Sequence, residues 1–138
     1  MKYLKGLLAF ILVLVLVYLV GPKPKKPVLD PTLPTINATL STLDAYLSEQ
    51  ESKIENIKPD NASRIIWADS VGQRTDYAIV YLHGFSASGM EGAPIHQDIA
   101  KRYGANLYLP RLYGHGVEEE DAFIDLRPEY LIESAKEA

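Results

Sequence analysis

Two glycine-punctuated segments carry the residues best suited to chemistry. His83-Gly84-Phe85-Ser86-Ala87-Ser88-Gly89 follows the apolar run Tyr77-Ala-Ile-Val-Tyr-Leu82, and Arg111-Leu-Tyr-Gly114-His115-Gly116 follows Asn106-Leu-Tyr-Leu-Pro110. A glycine-rich turn leaving a buried strand can keep backbone N–H groups unpaired and aimed into a crevice. Fixed donors of that kind stabilise a developing oxyanion. Ser86 and the histidines add a hydroxyl and imidazoles. The plainer reading of Ser86 is a satisfied loop hydroxyl, and that of His115 a turn residue bonded to backbone. A nucleophile and a base remain their sharper alternatives.

Other chemistries find less support. Glu118, Glu119, Glu120 and Asp121 follow His115, but an acidic loop run reads first as a solvated surface, and His83 and His96 have no ligand spacing to it. No metal or other cofactor is therefore expected. Glu91 either orients the glycine loop or merely favours a helix N-terminus. The chain has no cysteine, which excludes thiolate metal sites and a thiol nucleophile. Its formal charge of −4, with lysines clustered only at Lys23, Lys25 and Lys26, argues against nucleic acid as a partner.

The loops need a scaffold. Arg64–Ala68 reads as a short strand, and Asp69–Asp76, with Gly72, as a turn. Tyr77–Leu82 reads as a strand buried on both faces of a parallel sheet. Glu91–Tyr103 places Ile95, Ile99 and Tyr103 at helical spacing, so this helix should cover one face of the sheet. Asn106–Pro110 is another short strand, and a helix follows Arg127, with Pro128 suited to its first turn. That alternation is the rhythm of an open α/β sheet, whose ligands gather at the carboxyl ends of the strands.

In this order and separation, the HG-F and L-Y-G-H-G loops resemble those of the α/β-hydrolase superfamily, most of all its esterase, monoacylglycerol-lipase-like and serine-aminopeptidase-like members. The resemblance runs from about Arg64 to Ala138 and includes Leu126-Arg-Pro-Glu-Tyr130. It implies that the Phe85 N–H is an oxyanion donor, that His83 and Gly84 shape its loop, and that Gly114, His115 and Gly116 form a structural turn. It also implies a small ester or acyl compound as substrate. The family's G-x-S-x-G nucleophile elbow is absent. The nearest approach, Gly84-Phe-Ser86-Ala-Ser88, stands in the oxyanion loop's place, and the last residues are still in helical register. The fold expected is an incomplete α/β-hydrolase-type sheet spanning 64–138, inactive without an elbow. An aspartate nucleophile, as in dehalogenases and epoxide hydrolases, stays open.

The first half attaches that body to something else. Residues 4–20 contain no polar side chain apart from Lys5 and the Tyr18 hydroxyl, and as a helix would reach about 25 Å against a hydrocarbon core of about 30 Å. A signal peptide begins the same way, but no A-x-A-like cleavage pattern follows. We therefore expect a single transmembrane anchor over 1–21 and a membrane localisation. Lysines on both sides leave its orientation open. Residues 22–34, with Pro22, Pro24, Pro27, Pro31 and Pro34, read as an extended spacer. Residues 35–58 read as an amphipathic helix carrying Ile36, Leu40, Leu43, Leu47, Ile54 and Ile57, capped at Thr35 or at Ser41-x-x-Asp44. It either lies on the body or mediates self-association, which would make the chain a membrane-tethered interaction protein. Polar Gln50 in the seam favours the first. Asn37-Ala-Thr and Asn61-Ala-Ser also match the glycosylation sequon.

Overall fold

The computed structural model describes residues 2–23 and 25–138. Met1 of the anchor and Pro24 of the spacer lie outside the described residues. Helix α1 spans Lys2–Val20. Its window Tyr3–Val20 has mean hydropathy 2.5, is long and apolar enough to cross a membrane, and none of it is buried against the rest of the chain. An extended stretch follows, and it is not wholly loose. The Val28 N–H donates to Glu129 Oε1 at 3.0 Å, and Lys136 Nζ donates to the Asp30 carbonyl at 3.0 Å.

The amphipathic helix is shorter than its apolar pattern. A 3₁₀ turn, Leu40–Thr42, leads into α2, Leu43–Glu51. Its start is set by Thr39, whose N–H donates to Thr42 Oγ1 at 2.9 Å, rather than by Thr35 or Ser41. Its end precedes Pro59 because Asn56 adopts a left-handed φ of 53° and Ile57 bridges to Val117 instead. Tertiary pairing has overridden local periodicity here, and Ile54 and Ile57 leave the helical face. Leu43, Tyr46, Leu47, Gln50 and Glu51 are the half-buried side of α2, which packs against β1, Arg64–Ile66.

Strands β2, Ala78–Val80, and β3, Asn106–Leu109, are parallel, and α3, Ile95–Tyr103, connects them. The sheet order is β1-β3-β2, with β1 antiparallel to β3. The architecture is thus a mixed α/β arrangement on a small sheet. Helix α4, Pro128–Glu137, carries its proline in the first turn, where the missing N–H takes nothing from the helix.

One face of the sheet forms the core. Leu107 and Leu109 are buried with Ala100 of α3, and Ile66, Ile79 and Tyr81 pack around them. Two expectations change here. β2 is an edge strand with Ala78 and Val80 exposed, not a strand buried on both faces. The helix does cover the sheet, but through His96 and Ala100. Ile95, Ile99 and Tyr103 face outward, at 67%, 44% and 62% exposure. Periodicity identifies an apolar stripe but not its neighbour. The small Ala100 lets the opposite side of α3 approach the sheet.

Candidate functional site

Because β2 and β3 run parallel, their carboxyl ends lie together and deliver both glycine loops to one end of the sheet. The Tyr81 N–H still donates to the Tyr108 carbonyl at 3.0 Å, so the ladder persists until the first loop begins. β1 runs the other way and pairs Arg64 with Leu109. The segment ahead of β1 therefore arrives at the same end. Lys58 N–H donates to the Gly116 carbonyl at 2.8 Å and Glu118 N–H to the Asn56 carbonyl at 3.0 Å. This third wall had no motif to announce it.

His83 joins the two loops. Its side chain is 5% exposed. Its Nε2 accepts the Leu112 N–H at 3.3 Å, so Nδ1 carries the proton and donates to the Gly84 carbonyl at 3.0 Å. Both ring nitrogens are engaged by backbone, and His83 shapes the loop without being free to act as a base. The Gly84 N–H donates to Glu91 Oε2 at 2.9 Å. Ala87 N–H closes the turn on the Gly84 carbonyl at 3.2 Å. The Phe85 and Ser86 N–H groups have no acceptor among the described residues, as an oxyanion donor requires.

Ser86 sits at the exposed tip of this loop in a left-handed conformation, φ 62°. None of the histidine nitrogens hydrogen-bonds to it. The geometry supplies no partner to activate its hydroxyl.

The second loop is a turn. Gly114 and Gly116 have φ of 71° and 69°, and a Cβ on Gly114 would lie 2.9 Å from the Ala122 carbonyl oxygen. His115 is 2% exposed, and its Nδ1 donates to the Tyr113 carbonyl at 2.8 Å. Its Nε2 is buried with no partner among the described residues. Its ring packs against His83 at 4.9 Å, Phe123 at 4.8 Å and Phe85 at 5.7 Å between centroids. Burial in this apolar setting lowers its pKa below the usual imidazole value, so it stays neutral near pH 7. Phe123 belongs to the loop containing the acidic run, and it brings that loop onto Phe85 at 5.2 Å. Glu119 and Asp121 remain exposed, Glu119 accepting Asn56 Nδ2 at 2.8 Å. Among the described residues no three His, Asp or Glu side chains gather in a metal-binding group.

Beneath the second loop, Arg111 Nε donates to Glu51 Oε2 at 2.8 Å, with side chains only 9% and 14% exposed. Ser63 Oγ bridges them, donating to Glu51 Oε1 and accepting the Arg111 N–H, both at 2.8 Å. Arg111 Nη1 also reaches the His115 carbonyl at 3.1 Å. The α2 helix is thereby tied to the floor of the site, beside a cleft of about 580 Å³ between α2, this loop and α4.

The chain matches no protein-family model, no curated protein and no solved structure.

Proposed function

We propose that this chain provides the oxyanion-loop side of a membrane-anchored serine hydrolase acting on a carboxylic ester or a related small acyl compound. One observation carries the reading: the Phe85 N–H is unpaired at the carboxyl end of β2, next to a peptide group whose N–H and carbonyl are both bonded at Gly84. In such a reaction a serine Oγ attacks the acyl carbon and the carbonyl electron pair moves onto oxygen. A histidine accepts the serine proton and later gives it to the leaving alkoxide. Phe85 N–H would hold the oxyanion. The chain's own histidines do not fit the base. His83 is bonded at both nitrogens, His96 is buried with Nε2 on the Gly89 carbonyl, and His115 is sealed among aromatic rings. Nucleophile, base and acid would therefore come from a further strand-and-helix unit. The edge of β2 that does not face β3 is where a parallel strand could join the sheet. Helix α1 would hold the body at a membrane through residues 4–20. Self-association through 36–57 gains no support, since α2 directs its half-buried side onto β1.

The test compares residues 1–138 with the same polypeptide extended through the coding sequence after codon 138. The extended form should react with a serine-directed phosphonate and turn over a short-chain ester. Phe85→Pro should lower that turnover about 10²–10³-fold, the usual effect of losing one oxyanion donor, while Ser86→Ala should leave it measurable. Turnover without phosphonate labelling would move the nucleophile to a carboxylate. Labelling of the short form, abolished by Ser86→Ala, would overturn the reading.

A further inference from the structure

The donor assigned to Phe85 is useful only if its direction is fixed, and the loop contains the parts that fix it. The peptide plane between Gly84 and Phe85 is held through its carbonyl, which accepts His83 Nδ1–H at 3.0 Å and Ala87 N–H at 3.2 Å. In a trans peptide the N–H points opposite to the C=O, so holding the Gly84 carbonyl aims the Phe85 N–H the other way. The preceding plane is held through the Gly84 N–H, whose acceptor is Glu91 Oε2 at 2.9 Å. Glycine has free rotation at both dihedrals, so with one plane released the other would no longer be fixed.

Glu91 lies four residues ahead of α3, not in its first turn, so the helix dipole does not account for its position. Its own N–H donates to the Ser88 carbonyl at 2.9 Å, folding the loop back so that its end meets its start. Tyr81 OH donates to the same carboxylate oxygen at 3.2 Å. The Tyr81 ring is in turn wedged between His96, 4.9 Å away, and Gly92, where a Cβ would come within 2.7 Å of it. The Gly84 N–H and the Tyr81 hydroxyl together keep the Glu91 carboxyl below the usual carboxylate range. It is an anion throughout the neutral range.

We propose that Glu91, supported by Tyr81, is the positioning residue of this loop. It takes the Gly84 N–H as its own and so sets the direction of the Phe85 N–H. The assignment rests on the proposed hydrolase reading for its purpose, but not for its measurement. The test follows the backbone amides of the ¹⁵N-labelled full chain in detergent micelles. The Gly84 amide proton should lie downfield, as a carboxylate-bound amide does, and should titrate with an apparent pKa below that of an ordinary glutamate. Glu91→Ala should remove the titration and speed Gly84 amide exchange by about tenfold or more, the loss expected for one charge-assisted bond. Glu91→Gln keeps an acceptor oxygen and should retain most of the protection without the titration. Tyr81→Phe should raise the apparent pKa. The Leu107 amide reports that the sheet stays folded in each variant. A Gly84 amide that does not titrate, or that exchanges equally in wild type and Glu91→Ala, overturns the assignment. The functional reading fails separately, if an extended Phe85→Pro enzyme folds and retains full turnover.

Discussion

Removing one partner of the Arg111–Glu51 pair should weaken the body far more than removing both. The pair sits at 2.8 Å with side chains 9% and 14% exposed. Glu51→Ala leaves the Arg111 guanidinium with the His115 carbonyl as its remaining acceptor. Ser63 Oγ loses its acceptor as well. Breaking a buried pair in this way costs about 3–5 kcal/mol. The small residual exposure of both groups places the expected loss near the lower figure, about 3 kcal/mol. For a body of about 100 residues each kcal/mol shifts the melting point about 4–8 °C, so a fall of roughly 12–24 °C should follow. Arg111→Met should do similar damage by stranding the carboxylate. The double variant Glu51→Leu/Arg111→Met leaves no unpaired charge and should be more stable than the sum of the single losses implies. The gap should exceed about 3 kcal/mol, so that the double variant is more stable than either single one. Trp67, the only tryptophan, bonds Asp44 of α2 through Nε1 at 3.0 Å. Its fluorescence therefore reports α2 leaving the sheet during urea unfolding. Additive losses, or single losses under about 0.5 kcal/mol, would show that the pair is solvated in solution and does not hold α2.

Gly114→Ala combines a left-handed φ with a Cβ placed 2.9 Å from the Ala122 carbonyl oxygen. It should lower stability by about 1–3 kcal/mol, read by the same unfolding curve. The folded-state pKa of His115 lies below its unfolded value of 6.5. Its contribution to stability is therefore complete above pH 6.5 and is lost as pH falls through the folded value. His115→Asn, which keeps a donor near the Nδ1 position, should flatten that part of a melting-point profile taken from pH 8 to 5. Helix α1 should hold the intact chain in the membrane fraction through a carbonate wash, and recovery of a soluble form starting after Val20 would identify a cleaved leader instead.

The sequence located the strands well because each is a short apolar run bounded by strong punctuation. Arg64–Ile66, Ala78–Val80 and Asn106–Leu109 all fall inside the runs read as strands. The juxtaposition of the HGF and GHG loops follows once β2 and β3 are parallel neighbours. What stayed hidden depends on contacts distant in sequence. The wall at Asn56–Lys58 meets Gly116 and Glu118 about sixty residues away, and no local pattern marks it. Phe123 lies two residues past the acidic run with no pattern to mark it, yet its ring packs on Phe85 and His115. The outward turn of Ile95, Ile99 and Tyr103 had the same cause. A stripe of apolar residues shows which side of a helix is oily, not which side is covered.

The two bonds from Val28 and Asp30 to α4 set a mechanical limit on everything downstream. Between the end of α1 and Val28 lie only residues 21–27, and fully extended they reach about 25 Å. Were α1 to insert into a membrane, a leash of that length would hold the sheet and its loops close to the membrane surface.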